Sequence, residues 1–140
     1  MLVFVLRHAD REPEPSDNLS PAGVERANRL AGMLAHSGVS AAFCSDAKRT
    51  RQTLLPLKEL LDGALPIDAP GDGDPHAVVA AITSLPAATV AIAVGHSNTV
   101  DRIVKDLSGR IITPIQPEEF DRLYVVFNPG NAATLLELRY

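Results

Sequence analysis

Arginine and histidine residues follow directly after the apolar runs of this 140-residue sequence. Arg7 and His8 end the first such run, and His96 comes after the clearest one. Arg49 stands shortly beyond a third, shorter run. Guanidinium groups make bidentate hydrogen bonds to phosphate, and a neutral imidazole is a competent nucleophile because its ordinary pKa is about 6.5. These residue types predict a cationic site in which a histidine attacks the phosphorus of a bound phosphoryl group.

The elements that must position these side chains alternate along the chain. Apolar, β-rich runs predict strands at residues 2–6, 41–44 and 89–94, with at best a short edge strand at residues 65–67. Helical spacing and capping residues predict a helix that begins at residue 21 and is stopped by Gly38, and helices over residues 47–61, 75–85 and 98–107. Ser20, Asp46 and Asp74 are the expected caps of the first three helices. Two further strands, at residues 123–127 and 134–138, flank a turn and predict a hairpin.

This alternation predicts an α/β fold with three layers. A mainly parallel sheet lies between helices on both faces, and the C-terminal hairpin completes it. The length predicts a single domain over residues 1–140.

Sites in such sheets form at the carboxyl ends of the strands. Three predicted strand ends carry the candidate site residues, which are Arg7, His8, Ser45, Arg49, His96 and Ser97. Each motif alone has an ordinary explanation, such as a solvated loop, an exposed helix face or a helix cap. Their occurrence together at three strand ends in one short chain favours a functional site.

Composition excludes several classes of protein. The net charge of −4 indicates neither a nucleic acid nor an anionic membrane as partner. One cysteine supplies no disulfide framework and no zinc ribbon. The first apolar run is too short for a signal peptide, and no run approaches a membrane span of roughly 18 residues. We therefore expect a cytoplasmic protein without cofactor or metal, whose oligomeric state the sequence leaves open.

Four segments resemble motifs of the histidine phosphatase superfamily, which has the phosphoglycerate mutase-like fold. They are Leu-Arg-His-Ala at residues 6–9, Leu-Ser-Pro-Ala-Gly at 19–23, Ser-x-x-x-Arg-x-x-Gln-Thr ending at 53, and Gly-His-Ser-Asn at 95–98. The match runs in order over most of the chain and is most similar to short single-domain members such as bacterial phosphohistidine phosphatases.

The resemblance implies a role for each matched residue. His8 is the expected nucleophile and becomes phosphohistidine, while Arg7, Arg49 and His96 complete the phosphate pocket. Ser45 is expected to support substrate binding. Ser97 begins the last helix of the parallel unit, and the backbone amides at the start of that helix can also bind an anion.

Two departures from the family pattern affect the chemistry. Ala9 replaces the usual glycine, so its methyl group is expected to narrow the pocket beside the nucleophile. The acid that protonates the leaving group has no clear counterpart, although Asp68, Asp72 and Asp74 lie in the right region. A phosphoramidate or an acidic leaving group needs less help from such an acid.

The predicted function is therefore metal-independent hydrolysis of a phosphomonoester or phosphoramidate, on a phosphorylated small molecule or a phosphoprotein. A binding module with little turnover is one alternative, although binding alone would not need two histidines. A metallohydrolase using His8, Asp10, His36, His76 or His96 is less favoured, because those residues lack the spacing of metal ligands. A phosphosugar mutase is a third alternative, and the short chain lacks insertions to enclose a sugar.

Overall fold

The computed structural model describes all 140 residues, which form six strands and four helices around one sheet. The strands are β1 (Leu2–Arg7), β2 (Val39–Phe43), β3 (Ile67–Asp68), β4 (Val90–Gly95), β5 (Arg122–Phe127) and β6 (Thr134–Arg139). The helices are α1 (Pro21–Leu34), α2 (Lys48–Leu60), α3 (Pro75–Thr83) and α4 (Val100–Ser108), with a short 3-10 helix at Pro70–Gly73. No helix combines the length and the hydropathy needed to cross a membrane.

The sheet has the strand order β3-β2-β4-β1-β5-β6. The first four strands in this order run parallel, and β5 and β6 are antiparallel to their neighbours. This confirms the predicted α/β class, the mainly parallel sheet and the C-terminal hairpin. The register pairs Arg7 with Gly95 at the ends of β1 and β4. The residues that follow these two strands, His8 and His96, therefore start from neighbouring positions.

Alternate residues of the strands enter two separate cores, one on each face of the sheet. Val3 and Val5 of β1 pack on the face covered by α3 and α4, whereas Phe4 and Leu6 pack on the face covered by α1 and α2. Burial on both faces explains why the strands are continuously apolar rather than alternating.

The predicted caps have different outcomes. Ser20 accepts a hydrogen bond from the Gly23 amide at 3.2 Å and caps α1, and Asp74 accepts one from the Ala77 amide at 3.0 Å and caps α3. The prediction for Asp46 is wrong, because α2 begins after Ala47 and has no cap from its own sequence. Helix α4 also starts later than predicted, at Val100 rather than residue 98.

Helix α1 packs tightly against the loop that follows β1. A Cβ atom on Gly23 would lie only 1.9 Å from the backbone carbonyl oxygen of Asp10, so no larger residue fits there. Arg26 of the same helix donates from Nε to the Asp10 carboxylate at 2.6 Å. Helix α1 thus holds the segment directly after the expected nucleophile in place.

Candidate active site

A polar cleft opens at the carboxyl ends of β1 and β4. It has a volume of about 620 Å³, and none of its lining residues is hydrophobic. The lining residues are Arg7, His8, Arg11, Arg49, His96, Ser97 and Asn98. Five of the six predicted site residues are therefore together, and Ser45 is the exception.

His8 is buried at the floor of the cleft, with 2% of its surface exposed. Its Nδ1 atom lies 2.8 Å from the backbone carbonyl oxygen of Ala9. A carbonyl oxygen only accepts hydrogen bonds, so the neutral ring carries its proton on Nδ1 and its lone pair on Nε2. Burial, together with the charges of Arg7 and Arg49, lowers the pKa of His8 to about 3. The imidazole is therefore neutral and nucleophilic at physiological pH.

This pKa predicts that the His8 ring does not titrate between pH 5 and pH 8. Nitrogen-15 NMR of the ring should show the neutral Nδ1–H tautomer throughout this range. In the unfolded chain, His8 becomes protonated below about pH 6.5. In the folded chain, it stays neutral until the pH falls to about 3. The His8 contribution to the free energy of unfolding should accordingly fall as the pH decreases through this window. A ring that titrates near pH 6.5 would contradict the assignment.

Arg7 is anchored by a distant segment of the chain. Its Nη1 group donates to the carbonyl oxygens of Gln116, Pro117 and Glu119 at 3.1, 2.8 and 2.9 Å. Its guanidinium carbon lies 4.1 Å from the centre of the Phe120 ring. The Nε–H group is buried and has no hydrogen-bond partner in the protein. One edge of this guanidinium thus remains free to bind an anion.

Arg49 reaches the cleft from the first turn of α2. Its Nη1 group bonds the carboxylate of Asp17, and its Nη2 group lies 3.3 Å from Nδ1 of His96. Its Nε–H group is also buried without a partner in the protein. Two arginines with unpartnered Nε–H groups therefore line the same cleft, and their charge suits a tetrahedral dianion.

Ser45 lies behind His96 rather than in the cleft. Its hydroxyl is 2.8 Å from Nε2 of His96 and 3.0 Å from the Thr50 hydroxyl. Because an arginine only donates, Nδ1 of His96 accepts from Arg49, and the neutral ring carries its proton on Nε2 and donates it to Ser45. Burial and the charges of Arg49 and Arg7 lower the pKa of His96. Ser45 therefore contacts His96 and does not line the cleft.

Ala9 does not narrow the cleft as expected. The residue is fully buried in a small cluster with Leu19 and Ala27, away from the polar lining. Its backbone amide donates to the Thr53 hydroxyl at 3.0 Å, which fixes the backbone beside the nucleophile. The methyl group therefore contributes to packing rather than to the shape of the pocket.

Replacing Ala9 with glycine should leave kcat/KM unchanged and lower the free energy of unfolding by about 1–2 kcal/mol. The loss comes from a buried methyl group and from the greater freedom of glycine in the unfolded chain. Chemical denaturation and steady-state kinetics on the same preparation measure both effects. A clear rise in kcat/KM would mean that the methyl group does restrict the cleft.

None of the three candidate acids lines the cleft. Asp74 is used as the cap of α3, and Asp68 is exposed at the end of β3. Asp72 is exposed, and a hydrogen bond with Asp46 together with the charge of Asp46 raises its pKa. Two carboxylates contact lining residues from outside the cleft: Glu14 pairs with Arg11 at 2.9 Å, and Asp17 bonds Arg49. Hydrogen bonds from Lys48 and Arg49 lower the pKa of Asp17.

The sequence analysis missed several residues of this site. Arg11 and Asn98 line the cleft, and Phe120 packs against both Arg7 and His8. Asn98 is the last residue of the motif at residues 95–98, and Arg11 lies two residues after the motif at residues 6–9, so their position in the sequence was an available signal. Nothing in the sequence near Phe120 indicates its place. Across the chain, no three His, Cys, Asp or Glu side chains are arranged to hold a metal ion.

A family model described as the histidine phosphatase superfamily (branch 1) matches residues 3–69. The match agrees with the resemblance found in the sequence and covers the motifs at residues 6–9, 19–23 and 45–53, but it does not reach the motif at residues 95–98. No curated protein matches the sequence.

Solved structures similar to this chain include several phosphatases. One, assigned as the phosphohistidine phosphatase SixA of Nakamurella multipartitia, is 23% identical, with a TM-score of 0.74 over 99% of this chain and 95% of that one. The protein histidine phosphatase SixA in complex with tungstate is 22% identical, with a TM-score of 0.74 over 99% and 97%. A phosphoserine phosphatase from Entamoeba histolytica is 10% identical, with a TM-score of 0.70 over 99% and 96%. The chain therefore has the phosphoglycerate mutase-like fold.

Proposed function

We propose that this protein is a metal-independent phosphatase that forms a phosphohistidine intermediate on His8. The observation that carries the proposal is the neutral His8 ring, with its proton held on Nδ1, beside two arginines with unpartnered Nε–H groups. The lone pair of Nε2 supplies the nucleophile, and the guanidinium groups supply the charge that attracts a phosphoryl dianion.

The reaction has two steps. In the first, the Nε2 lone pair of His8 forms a bond to phosphorus while the bond from phosphorus to the leaving oxygen or nitrogen breaks. The leaving group departs with that electron pair and takes a proton from solvent water. In the second, water attacks the phosphorus, the bond to Nε2 breaks, and inorganic phosphate is released with His8 restored. The guanidinium groups of Arg7 and Arg49 stabilise the charge on the three equatorial oxygens in both steps.

Protonation of the leaving group limits the choice of substrate. No carboxylate lines the cleft, and the pKa of His96 is lowered by burial and by the arginines. A leaving group that needs no strong general acid, such as the imidazole of phosphohistidine, suits this site better than a simple alkoxide. The structural neighbours named for phosphohistidine support this substrate class, and a phosphoprotein is accordingly our first candidate. Its cytoplasmic location remains a prediction from the sequence.

Two alternatives predict different products. A binding module with little turnover would hold the phosphoryl group without releasing phosphate. A phosphosugar mutase would pass the phosphoryl group from His8 to a second hydroxyl. The cleft has no hydrophobic wall and no segment of the chain encloses it, so hydrolysis by water is favoured.

Phosphate release by the purified chain, measured with a chelator present, tests the proposal. The panel should include phosphohistidine, phosphosugar and nucleotide substrates. We expect the highest kcat/KM for the phosphoramidate and no loss of rate with EDTA. Activity that disappears with EDTA and returns with one divalent ion would contradict metal independence. Binding without release of phosphate from any substrate would favour the binding module.

A further inference from the structure

Helix α2 carries Arg49 but has no capping side chain of its own. Its N-cap residue is Ala47, and the first free amide of the helix, that of Lys48, is bound by an oxygen of Asp17 at 2.7 Å. Asp17 lies 31 residues earlier in the sequence, in the loop that follows the nucleophile. The other carboxylate oxygen of Asp17 bonds Nη1 of Arg49. One exposed carboxylate thus contacts both the start of the helix and the guanidinium that the helix presents.

The loop around Asp17 is fixed to α2 by two further hydrogen bonds. The Leu19 amide donates to Oε1 of Gln52 at 2.8 Å, and Nε2 of Gln52 donates to the Asn18 side chain at 3.1 Å. Gln52 therefore holds the two residues that follow Asp17 along the first two turns of the helix. These two hydrogen bonds restrict the movement of the loop that carries the Asp17 carboxylate.

Asp17 occupies only one side of the Arg49 guanidinium. The Nε–H and Nη2 groups of an arginine lie on one edge of its plane, and Nη1 lies on the other side. Asp17 bonds Nη1, whereas Nη2 points to His96 and Nε–H is buried without a partner. The carboxylate therefore binds the side of the guanidinium opposite the Nε–H and Nη2 edge, and leaves that edge to His96 and to a substrate oxygen that replaces it.

We propose that Asp17 is a positioning residue that orients Arg49 for binding of the transferred phosphoryl group. The inference rests on the proposed function, because it assigns Arg49 to phosphoryl binding. Holding the guanidinium in one orientation before the substrate arrives reduces the conformational entropy lost on binding. Asp17 is negative and repels a dianion, so the proposal requires that the gain from orienting Arg49 exceed this repulsion.

Tungstate, a tetrahedral dianion that is not hydrolysed, is a suitable probe for isothermal titration calorimetry. Replacing Asp17 with alanine should weaken tungstate binding roughly tenfold and raise KM by a similar factor. The same replacement in an Arg49→Ala background should cause no further loss, because there is no guanidinium left to orient. An equal loss in both backgrounds would overturn the proposal.

A second variant separates orientation of Arg49 from capping of the helix. Ala47 has the extended backbone of an N-cap residue, so Ala47→Ser supplies a local cap. We expect the double variant Asp17→Ala, Ala47→Ser to regain the Tm of the wild type while its tungstate affinity stays low. Recovery of both would show that Asp17 acts only as a cap and would overturn the proposal. A wild-type chain that binds no tungstate would overturn the proposed function as well.

Discussion

Replacing His8 with alanine will reduce turnover at least about 10⁴-fold, because the variant lacks the atom that bonds to phosphorus. No acid-labile phosphoenzyme should form when the variant is mixed with substrate and quenched. Binding of inorganic phosphate should survive, since the unpartnered Nε–H groups of Arg7 and Arg49 remain in place. Steady-state kinetics, phosphoenzyme trapping and calorimetry with phosphate measure these three effects.

His36 offers a matched control for this variant. It is an exposed histidine outside the cleft, so His36→Ala changes the same residue type without touching the site. We expect the control to keep normal turnover and to form the phosphoenzyme. Near-normal turnover of the His8→Ala variant on every substrate tried would refute the assignment of the nucleophile.

Replacing His96 with alanine should slow phosphoryl transfer roughly 10²- to 10³-fold, the typical cost of losing one donor to a developing oxyanion. In the free protein, Nδ1 of His96 accepts from Arg49 and Nε2–H donates to Ser45. Burial and the charges of Arg49 and Arg7 lower the pKa of His96 in the free protein, and we expect the charge of a bound dianion to counter this effect. The expected result is a second proton on Nδ1, donated to an equatorial oxygen, while Ser45 retains the Nε2–H bond. Single-turnover kinetics should show slow but measurable phosphorylation of His8.

The Ser45→Ala variant tests the role of the hydrogen bond between Ser45 and the His96 ring. It removes the acceptor for Nε2–H of His96 but leaves both histidines in place. We expect a smaller loss than for His96→Ala, on the order of tenfold, together with a changed pH dependence of phosphoryl transfer. Mass spectrometry should locate the trapped phosphoryl group on His8 in both variants. A phosphoryl group on His96 would reverse the assigned roles.

The fold was predictable because its signals are local. Apolar runs long enough for strands, and the Ser20-Pro21 and Asp74-Pro75 pairs at helix starts, depend only on neighbouring residues. The start of α2 was not predictable in the same way. Its amide is satisfied by Asp17 from another loop, and a side chain that arrives from a distant part of the chain leaves no periodic signal at the helix itself.

The sequence by itself determined which chemical groups stand at the carboxyl edge of the sheet. Parallel strands share that edge, so Arg7, His8 and His96 had to lie near one another once β1 and β4 were neighbours. Only the tertiary structure decided the state of those groups. Burial and contacts between distant segments determine the tautomer of His8 and place Ser45 behind His96. They also anchor Arg7, through residues more than 100 positions away in the sequence. Desolvation and hydrogen-bond partners are properties of the packed chain, and no local pattern of residues encodes them.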